Sequence, residues 1–374
     1  MRITGVVCEY DPFHNGHRYM LEALRKEGAE CVIGCMSGSF TQRGEPALLP
    51  WDIRARAASA NGMDLVLMLP VSFACAGAER FAYGGAYILD ATGICDTLSF
   101  GSECGDTEAI KAASRAVTSE KLRPVLDRCL SEGMTFARAR EQAVREVFGE
   151  ETAAVLREPN NILGIEYCKA LVAIGSDMRP HTIRRVGTSH DSGTVSGSFA
   201  SASKLRELLR SGGDVSGYVP EGSLELLSGM KYSTDRLEPM LLYRLKTMPP
   251  QELSQLPDMS EGLENRLYKA IREGSSVEEI LSLAKCRRYT LSRLRRSLMH
   301  AFLHLTKDDM DTKPQYIRVL AFTDRGREAL RQMKKTASLP VIQRFADRRL
   351  LSDEGRQQLL LENRCDELYS LIRQ

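Results

Sequence analysis

Short apolar runs alternate with longer amphipathic stretches over the first two hundred or so residues. The apolar runs predict five β-strands, at residues 3–8, 30–36, 63–69, 97–100 and 181–186. The stretches between them predict helices over 17–27, 51–61 and 77–91, and a helical insertion over residues 106–175. Continuous apolar strands that alternate with helices are typical of a parallel sheet covered on both faces. The sequence therefore predicts a Rossmann-like α/β domain.

The pattern changes beyond residue 215. Gly, Ser and Pro cluster over 211–223, which predicts a loop or linker. One later stretch, residues 316–322, favours a strand. The rest predicts helices, over 234–247, 249–255, 262–273, 276–284, 290–305, 324–335 and 353–372. We therefore predict two domains, a catalytic α/β domain over residues 1–215 and a mostly helical domain over residues 216–374.

Composition narrows the class of protein. The 10 cysteines are scattered and form no C-x-x-C pair, which indicates buried reduced thiols and predicts no metal site. No apolar run approaches the roughly 20 residues that span a bilayer. Strand-forming residues begin at Ile3, which leaves no room for a signal peptide. We expect a cytoplasmic protein without a membrane partner.

Charge is unevenly distributed along the chain. The net charge is only +2, but residues 285–349 carry 17 basic and 6 acidic side chains. Such a basic block suits a polyanion such as RNA, and the alternative is a solvated helical surface. In residues 285–300, Tyr289 would either stack on a base or pack in the fold. The candidate RNA-binding residues of this segment are Arg287, Arg288, Arg293, Arg295 and Arg296.

The most informative segment lies between the first strand and the first helix. Residues 9–17 are Glu-Tyr-Asp-Pro-Phe-His-Asn-Gly-His, so His14 and His17 stand nearly one helical turn apart. A helix start offers free N–H groups and a positive dipole end to phosphate, and Gly16 has no Cβ to keep a flat base away. Ligands of open α/β sheets bind at such turns. The segment predicts a nucleotide site, and the alternative is two ordinary histidines near a helix cap.

Other polar residues follow the remaining predicted strands. A long polar loop at residues 37–47 follows strand two, and Gly101 ends strand four. Arg184 and Arg185 end strand five, where guanidinium groups suit phosphate oxygens. His190, a little further on, is as compatible with a structural as with a catalytic role. Residues 201–206, Ser-Ala-Ser-Lys-Leu-Arg, open a helix. A plain surface loop, solvated arginines and simple helix capping are the alternatives.

The His-x-Gly-His pattern after a first strand resembles the signature of the nucleotidylyltransferase superfamily. Residues 201–206 resemble the serine-rich signature that closes its nucleotide site. The run over residues 5–17, with 37–47, 64–67, 100–103, 159–164 and 184–187, is similar to the bacterial tRNA(Met) cytidine acetate ligases. This resemblance covers residues 1 to 330, and its two long motifs are the specific ones.

The resemblance implies ATP-dependent activation of acetate as acetyl-adenylate. The acetyl group would pass to the wobble cytidine of elongator tRNA(Met), giving N4-acetylcytidine, AMP and pyrophosphate, with Mg²⁺ accompanying ATP. His14 and His17 would be the catalytic pair on the phosphates. The implied ATP-binding residues are Val7, Cys8, Glu9, Tyr10, Asp11, Pro12, Phe13, His14, Asn15, Gly16, His17, Arg18, Tyr19, Met20, Gly101, Asn160 or Asn161, Arg184 or Arg185, Ser201 and Ser203.

Three positions depart from the pattern of that family. Met68 stands where an acidic residue is common, Pro50-Trp51 stands near a frequent lysine, and residues 188–190 are Thr-Ser-His. Two other functions therefore stay open. One is a small-molecule nucleotidylyltransferase that keeps AMP in its product, and the other is a non-catalytic RNA-binding relative.

Overall fold

The structure, a computed structural model, describes residues 1–186, 197–230 and 232–373. The strands are β1 (Ile3–Cys8), β2 (Cys31–Ser37), β3 (Leu65–Leu69), β4 (Thr97–Ser102), β5 (Arg179–Arg184), β6 (Ile317–Phe322) and β7 (Val341–Ile342). They form one sheet in the order β5-β4-β1-β2-β3-β6-β7. Strands β1 to β5 pair in parallel, and β6 pairs antiparallel with β3. The predicted Rossmann-like α/β class is confirmed.

Helices cover this sheet and build the second half of the chain. They are α1 (Asn15–Lys26), α2 (Trp51–Ala60), α3 (Val71–Ala74), α4 (Ala78–Ala91), α5 (Thr107–Val117), α6 (Arg123–Ser131), α7 (Phe136–Phe148), α8 (Glu150–Val155), α9 (Pro159–Ile174), α10 (Ala202–Arg210), α11 (Glu221–Leu227), α12 (Leu237–Thr247), α13 (Pro250–Gln255), α14 (Leu263–Glu273), α15 (Val277–Ala284), α16 (Leu291–Leu303), α17 (Lys307–Met310), α18 (Asp324–Thr336) and α19 (Asp353–Arg373). Two short 3-10 helices lie at Glu120–Leu122 and Phe345–Leu350.

The sheet is buried on both faces. Every residue of β2 and β3 is buried, which explains why these strands are continuous apolar runs. Leu65 and Leu67 belong to the apolar cluster on one face, which includes residues of α4 and α9. Val66 belongs to the cluster on the other face, with Leu21 of α1. Helices α4 and α9 therefore cover one face of the sheet, and α1 covers the other.

The second half of the chain contributes to the same sheet. Strand β6 confirms the strand favoured at residues 316–322. The two-residue strand β7 pairs with it in parallel. Helices α12 to α16 and α19 build most of a further apolar cluster, which also includes Phe40, Val71 and Cys75 of the first half. Helix α18 packs instead in the cluster on the sheet. The division of the chain at residues 215 and 216 stays a prediction. Among the described residues, no helix has both the length and the apolar character needed to cross a membrane.

Two buried charged side chains fix the loops around the end of β1. The Asp11 carboxylate accepts the backbone N–H groups of Leu48 (2.8 Å) and Leu49 (3.0 Å), and is only 4% exposed. The fully buried Arg54 guanidinium donates to the carbonyl oxygens of Glu9, Ser37, Gly38 and Leu49. The loops after β1 and β2 are therefore held together at one edge of the sheet.

Candidate active site

The two histidines form the N-terminal cap of α1. The backbone N–H of Gly16 donates to Nδ1 of His14 (3.1 Å), and the backbone N–H of His14 donates to Nδ1 of His17 (3.3 Å). The imidazole rings stack with their centroids 3.7 Å apart. A neutral imidazole whose Nδ1 accepts a hydrogen bond carries its proton on Nε2. The cap therefore leaves each ring one free N–H donor, on Nε2.

Burial keeps both rings neutral. It lowers the pKa of His14 to about 3, and the positive charges of Arg185 and Arg206 act in the same direction. The pKa of His17 is lowered well below its usual range, mainly by burial and then by His14. The site therefore presents neutral N–H donors on the rings and places its positive charge on the arginines around them.

The histidines line two adjoining cavities at the carboxyl ends of the parallel strands. The larger is a cleft of about 970 Å³, partly open to solvent, and the smaller has a volume of about 550 Å³. Both are also lined by Arg185 and Ser201. The smaller cavity includes Gly101 and Gly16, where a Cβ would stand 3.0 Å from the His14 ring. The backbone around these glycines therefore lies close to the cavity.

Two further arginines, Arg43 and Arg206, line the larger cleft. The guanidinium of Arg43 donates to the Ser203 hydroxyl (2.9 Å), as does that of Arg206 (3.2 Å). Arg206 also donates to the carbonyl oxygen of Asp11 (2.8 Å). Ser201 caps α10 by accepting the Lys204 N–H. Arginines that converge at a helix N-terminus make a strong anion site.

The structure brings most of the sequence-predicted residues to the two cavities. Those that line at least one are Val7, Cys8, Glu9, Tyr10, Asp11, His14, Gly16, His17, Tyr19, Met20, Gly101, Asn160, Arg184, Arg185, Ser201 and Ser203. Others in the predicted set line neither of these cavities, namely Pro12, Phe13, Asn15, Arg18 and Asn161. Among them, Phe13 is buried in the core and Arg18 pairs with Glu22 at the surface.

The sequence left open which of Asn160 and Asn161, and which of Arg184 and Arg185, would contact ATP. The two members of each pair take different positions in the structure. Asn161 is buried and accepts the N–H groups of Glu103 and Cys104, whereas Asn160 lines the larger cleft. Arg185 lines both cavities, whereas Arg184 lines only the smaller one and donates to the Cys104 carbonyl. Asn160 and Arg185 are therefore the better placed members of each pair.

Several cleft residues were not among the predicted ones, and they fall into two groups. Gln42, Arg43 and Arg206 lie in segments that the sequence had singled out, so their polarity was an available signal. Phe81 on α4, with Leu163 and Tyr167 on α9, occupy apolar helical positions that look like ordinary core.

Only part of the basic segment before and within α16 is exposed to solvent. Arg287 and Arg288 are exposed. Arg293 contacts Asp258, Ser260 and Glu261, Arg295 pairs with Glu45 (2.9 Å), and Arg296 donates to the Gln42 carbonyl (3.3 Å). The last two contacts support the loop that carries Arg43. Tyr289 is buried and donates its hydroxyl to the Glu261 carbonyl, so it packs in the fold.

Two of the departures from the family pattern fall on described residues. Met68 is buried in β3, and its sulfur accepts from Arg318 (3.4 Å). Trp51 begins α2, and the Arg318 guanidinium lies 5.2 Å from its ring centroid. The third departure, Thr188-Ser189-His190, lies outside the described residues, as does Gly187.

Comparisons with protein families and with individual relatives point to the same family. Residues 1–374 match the HIGH Nucleotidyl Transferase family. The chain is 41% identical over 358 residues to the tRNA(Met) cytidine acetate ligase of Thermoanaerobacter sp. (strain X514), a match that covers 91% of this chain and 88% of the relative. It is 39% identical over 359 residues to the enzyme of that name from Anoxybacillus flavithermus, covering 91% of this chain and 89% of the relative.

Solved structures give the same result. Crystal structures of Thermotoga maritima TmcAL superpose with TM-scores of 0.94 for the apo form and 0.90 for the form bound with alpha-thio ATP. Their sequence identities to this chain are 34% and 33%, and each match covers 100% of this chain and 95% of the other. The family resemblance inferred from the motifs is confirmed.

Proposed function

Because the chain belongs to the HIGH nucleotidyl transferases and, within them, to the tRNA(Met) cytidine acetate ligases, we propose that it acetylates a tRNA cytidine at the expense of ATP. Acetate is a poor electrophile at neutral pH, so it must first be activated. Activation on a phosphoanhydride requires no nucleophile from the protein. It requires placement of acetate against the α-phosphorus and stabilisation of the departing pyrophosphate.

The proposed reaction has two steps. An acetate oxygen attacks the α-phosphorus of ATP, and the bond from that phosphorus to the bridging oxygen breaks. Pyrophosphate leaves with the bonding electrons, and acetyl-adenylate remains. The N4 amine of the wobble cytidine in elongator tRNA(Met) then attacks the acetyl carbon, the carbon–oxygen bond to AMP breaks, and the amine releases a proton to water. The products are N4-acetylcytidine, AMP and pyrophosphate.

The paired Nε2–H donors of His14 and His17 carry this proposal. Two neutral donors fixed by a helix cap need no reorganisation when charge develops on a phosphate oxygen. Arg185 supplies positive charge beside them, and Arg43 and Arg206 supply it from the wall of the same cleft. This arrangement suits a triphosphate whose leaving group carries most of the negative charge.

Mg²⁺ is proposed to enter with ATP rather than to reside in the protein. Among the described residues, no three His, Cys, Asp or Glu side chains come together as a metal site. The Asp11 carboxylate already accepts two backbone N–H groups. Mg²⁺ commonly keeps several waters and binds through substrate phosphates, which agrees with such a donor set. The ion would neutralise charge on the phosphates that the histidines and arginines hold.

We further propose that tRNA contacts the exposed part of the basic segment. Arg287 and Arg288 are free to meet phosphates because they are exposed and precede α16. Arg295 and Arg296 would act indirectly, through the loop that carries Arg43. The RNA-binding role of this segment therefore falls on its first two arginines.

One reaction separates this proposal from its rivals. Purified protein is incubated with labelled ATP, labelled acetate and a tRNA(Met) transcript, and the nucleotides and the digested tRNA are analysed. Free AMP with acetate label on a cytidine supports the ligase. AMP retained on a small acceptor would support a small-molecule nucleotidylyltransferase. Absence of turnover with tRNA still bound would support a non-catalytic RNA-binding relative.

A further inference from the structure

The larger cleft has an apolar side as well as its phosphate-binding groups. It is lined by Val7 of β1, Phe81 of α4 and Leu163 of α9. Phe81 is only 2% exposed. Asn160, Leu163 and Tyr167 line the cleft together because residues three and seven positions apart share one face of a helix. An apolar wall beside the phosphate-binding groups suits a ligand that joins a small hydrocarbon group to an anion.

Tyr167 places one polar atom in this apolar surrounding. It is 1% exposed, lines the cleft and packs against Phe100 with ring centroids 5.4 Å apart. Gly164 permits this packing, since a Cβ there would stand 2.6 Å from the Phe100 ring. Within the described part of the chain, no hydrogen bond of the Tyr167 hydroxyl is found, and the side chain lies on the wall of the cleft. A hydroxyl on a cleft wall that no protein group occupies is available to a ligand, and a few such polar groups in an apolar pocket fix the orientation of what binds there.

The electrostatic state of Tyr167 suits a donor. Burial raises the pKa of its hydroxyl well above the usual range, and the neighbouring Cys8, Cys35 and Glu9 add to this effect. The phenol therefore keeps its proton at any pH at which the protein works. A neutral O–H donor to a carboxylate oxygen is a charge-assisted hydrogen bond, one of the stronger kinds in proteins.

We propose that the space between Phe81, Leu163 and Tyr167 is the carboxylic-acid subsite and sets the length of the acyl chain. The methyl group of acetate packs against Phe81 and Leu163, and one carboxylate oxygen accepts a hydrogen bond from the Tyr167 hydroxyl. The other oxygen is then directed to the α-phosphorus. This inference rests on the proposed function, because it names the place of that reaction's second substrate.

The test uses carboxylate-dependent exchange of labelled pyrophosphate into ATP by the full-length protein, with acetate, propionate and butyrate. Leu163→Ala should raise the propionate-to-acetate ratio of kcat/KM about 10-fold or more, since one methylene in a pocket discriminates by about 10- to 200-fold. Leu163→Val should shift the ratio in the same direction by less. Tyr167→Phe should raise the KM for acetate about 10- to 100-fold, the range for a hydrogen bond to a charged group. The KM for ATP should stay unchanged in all three variants.

Val172→Ala is the matched control, because Val172 lies on the same helix and is 82% exposed. It should keep the wild-type ratio and both KM values. Acetate-dependent exchange by the wild type, with the wild-type ratio and acetate KM preserved in Leu163→Val and Tyr167→Phe, would overturn the subsite alone. Failure of the wild type to exchange pyrophosphate with any of the three carboxylates would overturn the proposed function, and the subsite with it.

Discussion

The role given to His17 can be divided between its two ring nitrogens. Nδ1 accepts the His14 N–H and stabilises the start of α1, whereas Nε2–H is the donor available to a phosphate. In His17→Asn the amide oxygen takes the place of Nδ1, and nothing takes the place of Nε2. In His17→Gln the amide nitrogen reaches the place of Nε2, and the cap is weakened. The two variants therefore separate capping from catalysis.

Loss of the donor should reduce the catalytic rate, and loss of the cap should reduce the stability of the protein. Loss of one preorganised donor to a developing oxyanion costs about 10²–10³ in rate, or about 2.7–4 kcal/mol of activation free energy. Loss of a helix cap costs about 0.5–2 kcal/mol of unfolding free energy. His17→Asn should lose most of its rate and little stability. His17→Gln should lose about 1 kcal/mol of stability and keep more of its rate.

Acetate-dependent pyrophosphate exchange measures the rate, and urea unfolding measures the stability. Saturating ATP keeps weaker binding from being mistaken for slower chemistry. His17→Asn with a rate within about threefold of the wild type would refute the donor role, because the smallest expected loss is about 100-fold. A His17→Gln rate as low as that of His17→Asn would show that an amide cannot replace the imidazole donor, and the division of roles would be wrong.

Three other predictions follow from buried or exposed charges. Asp11→Ala leaves two buried N–H groups without an acceptor, so unfolding free energy should fall by about 2–6 kcal/mol in urea titrations, whereas Asp11→Asn should lose about half as much. Because burial lowers the pKa of His14 to about 3 from an ordinary 6.5, the unfolded chain takes up a proton first as the pH falls. Stability should therefore be complete above pH 6.5 and decline below it by up to about 1.4 kcal/mol per pH unit for this ring, and His14→Asn should flatten the decline in unfolding curves between pH 7.5 and 5. The double variant Arg287→Ala, Arg288→Ala should weaken tRNA binding in filter-binding titrations. It should also reduce the slope of log affinity against log salt concentration by about 2, whereas Arg293→Ala should mainly reduce stability. An unchanged slope in the double variant would exclude those two side chains from the RNA surface.

The sheet and the histidine pair could be predicted from the sequence because both depend on local patterns. Buried parallel strands are continuous apolar runs, and β1 was predicted with the bounds that the structure gives it. The histidine cap lies within four residues. The short strand β7 was missed because two residues carry no periodicity.

Long-range pairing could not be predicted in the same way. The hydrogen bond between Arg43 and Ser203 joins positions 160 residues apart, and no local pattern specifies it. The charge count of the basic segment likewise could not distinguish Arg288, which is exposed, from Arg295, which pairs with Glu45. Tyr167 occupies an apolar helical position, so only its place on the cleft wall distinguishes it from an ordinary core residue.

The central claim is that acetate is activated by attack on the α-phosphorus of ATP. The fate of the acetate oxygens tests this claim most directly. Acetate labelled with ¹⁸O in both carboxylate oxygens is supplied with ATP and tRNA(Met), and the AMP is analysed by mass spectrometry. If acetate attacks the α-phosphorus, each AMP released with an acetylated cytidine carries one ¹⁸O atom on its phosphate, and pyrophosphate carries none. Acetylated tRNA formed together with unlabelled AMP would contradict activation of acetate at the α-phosphorus.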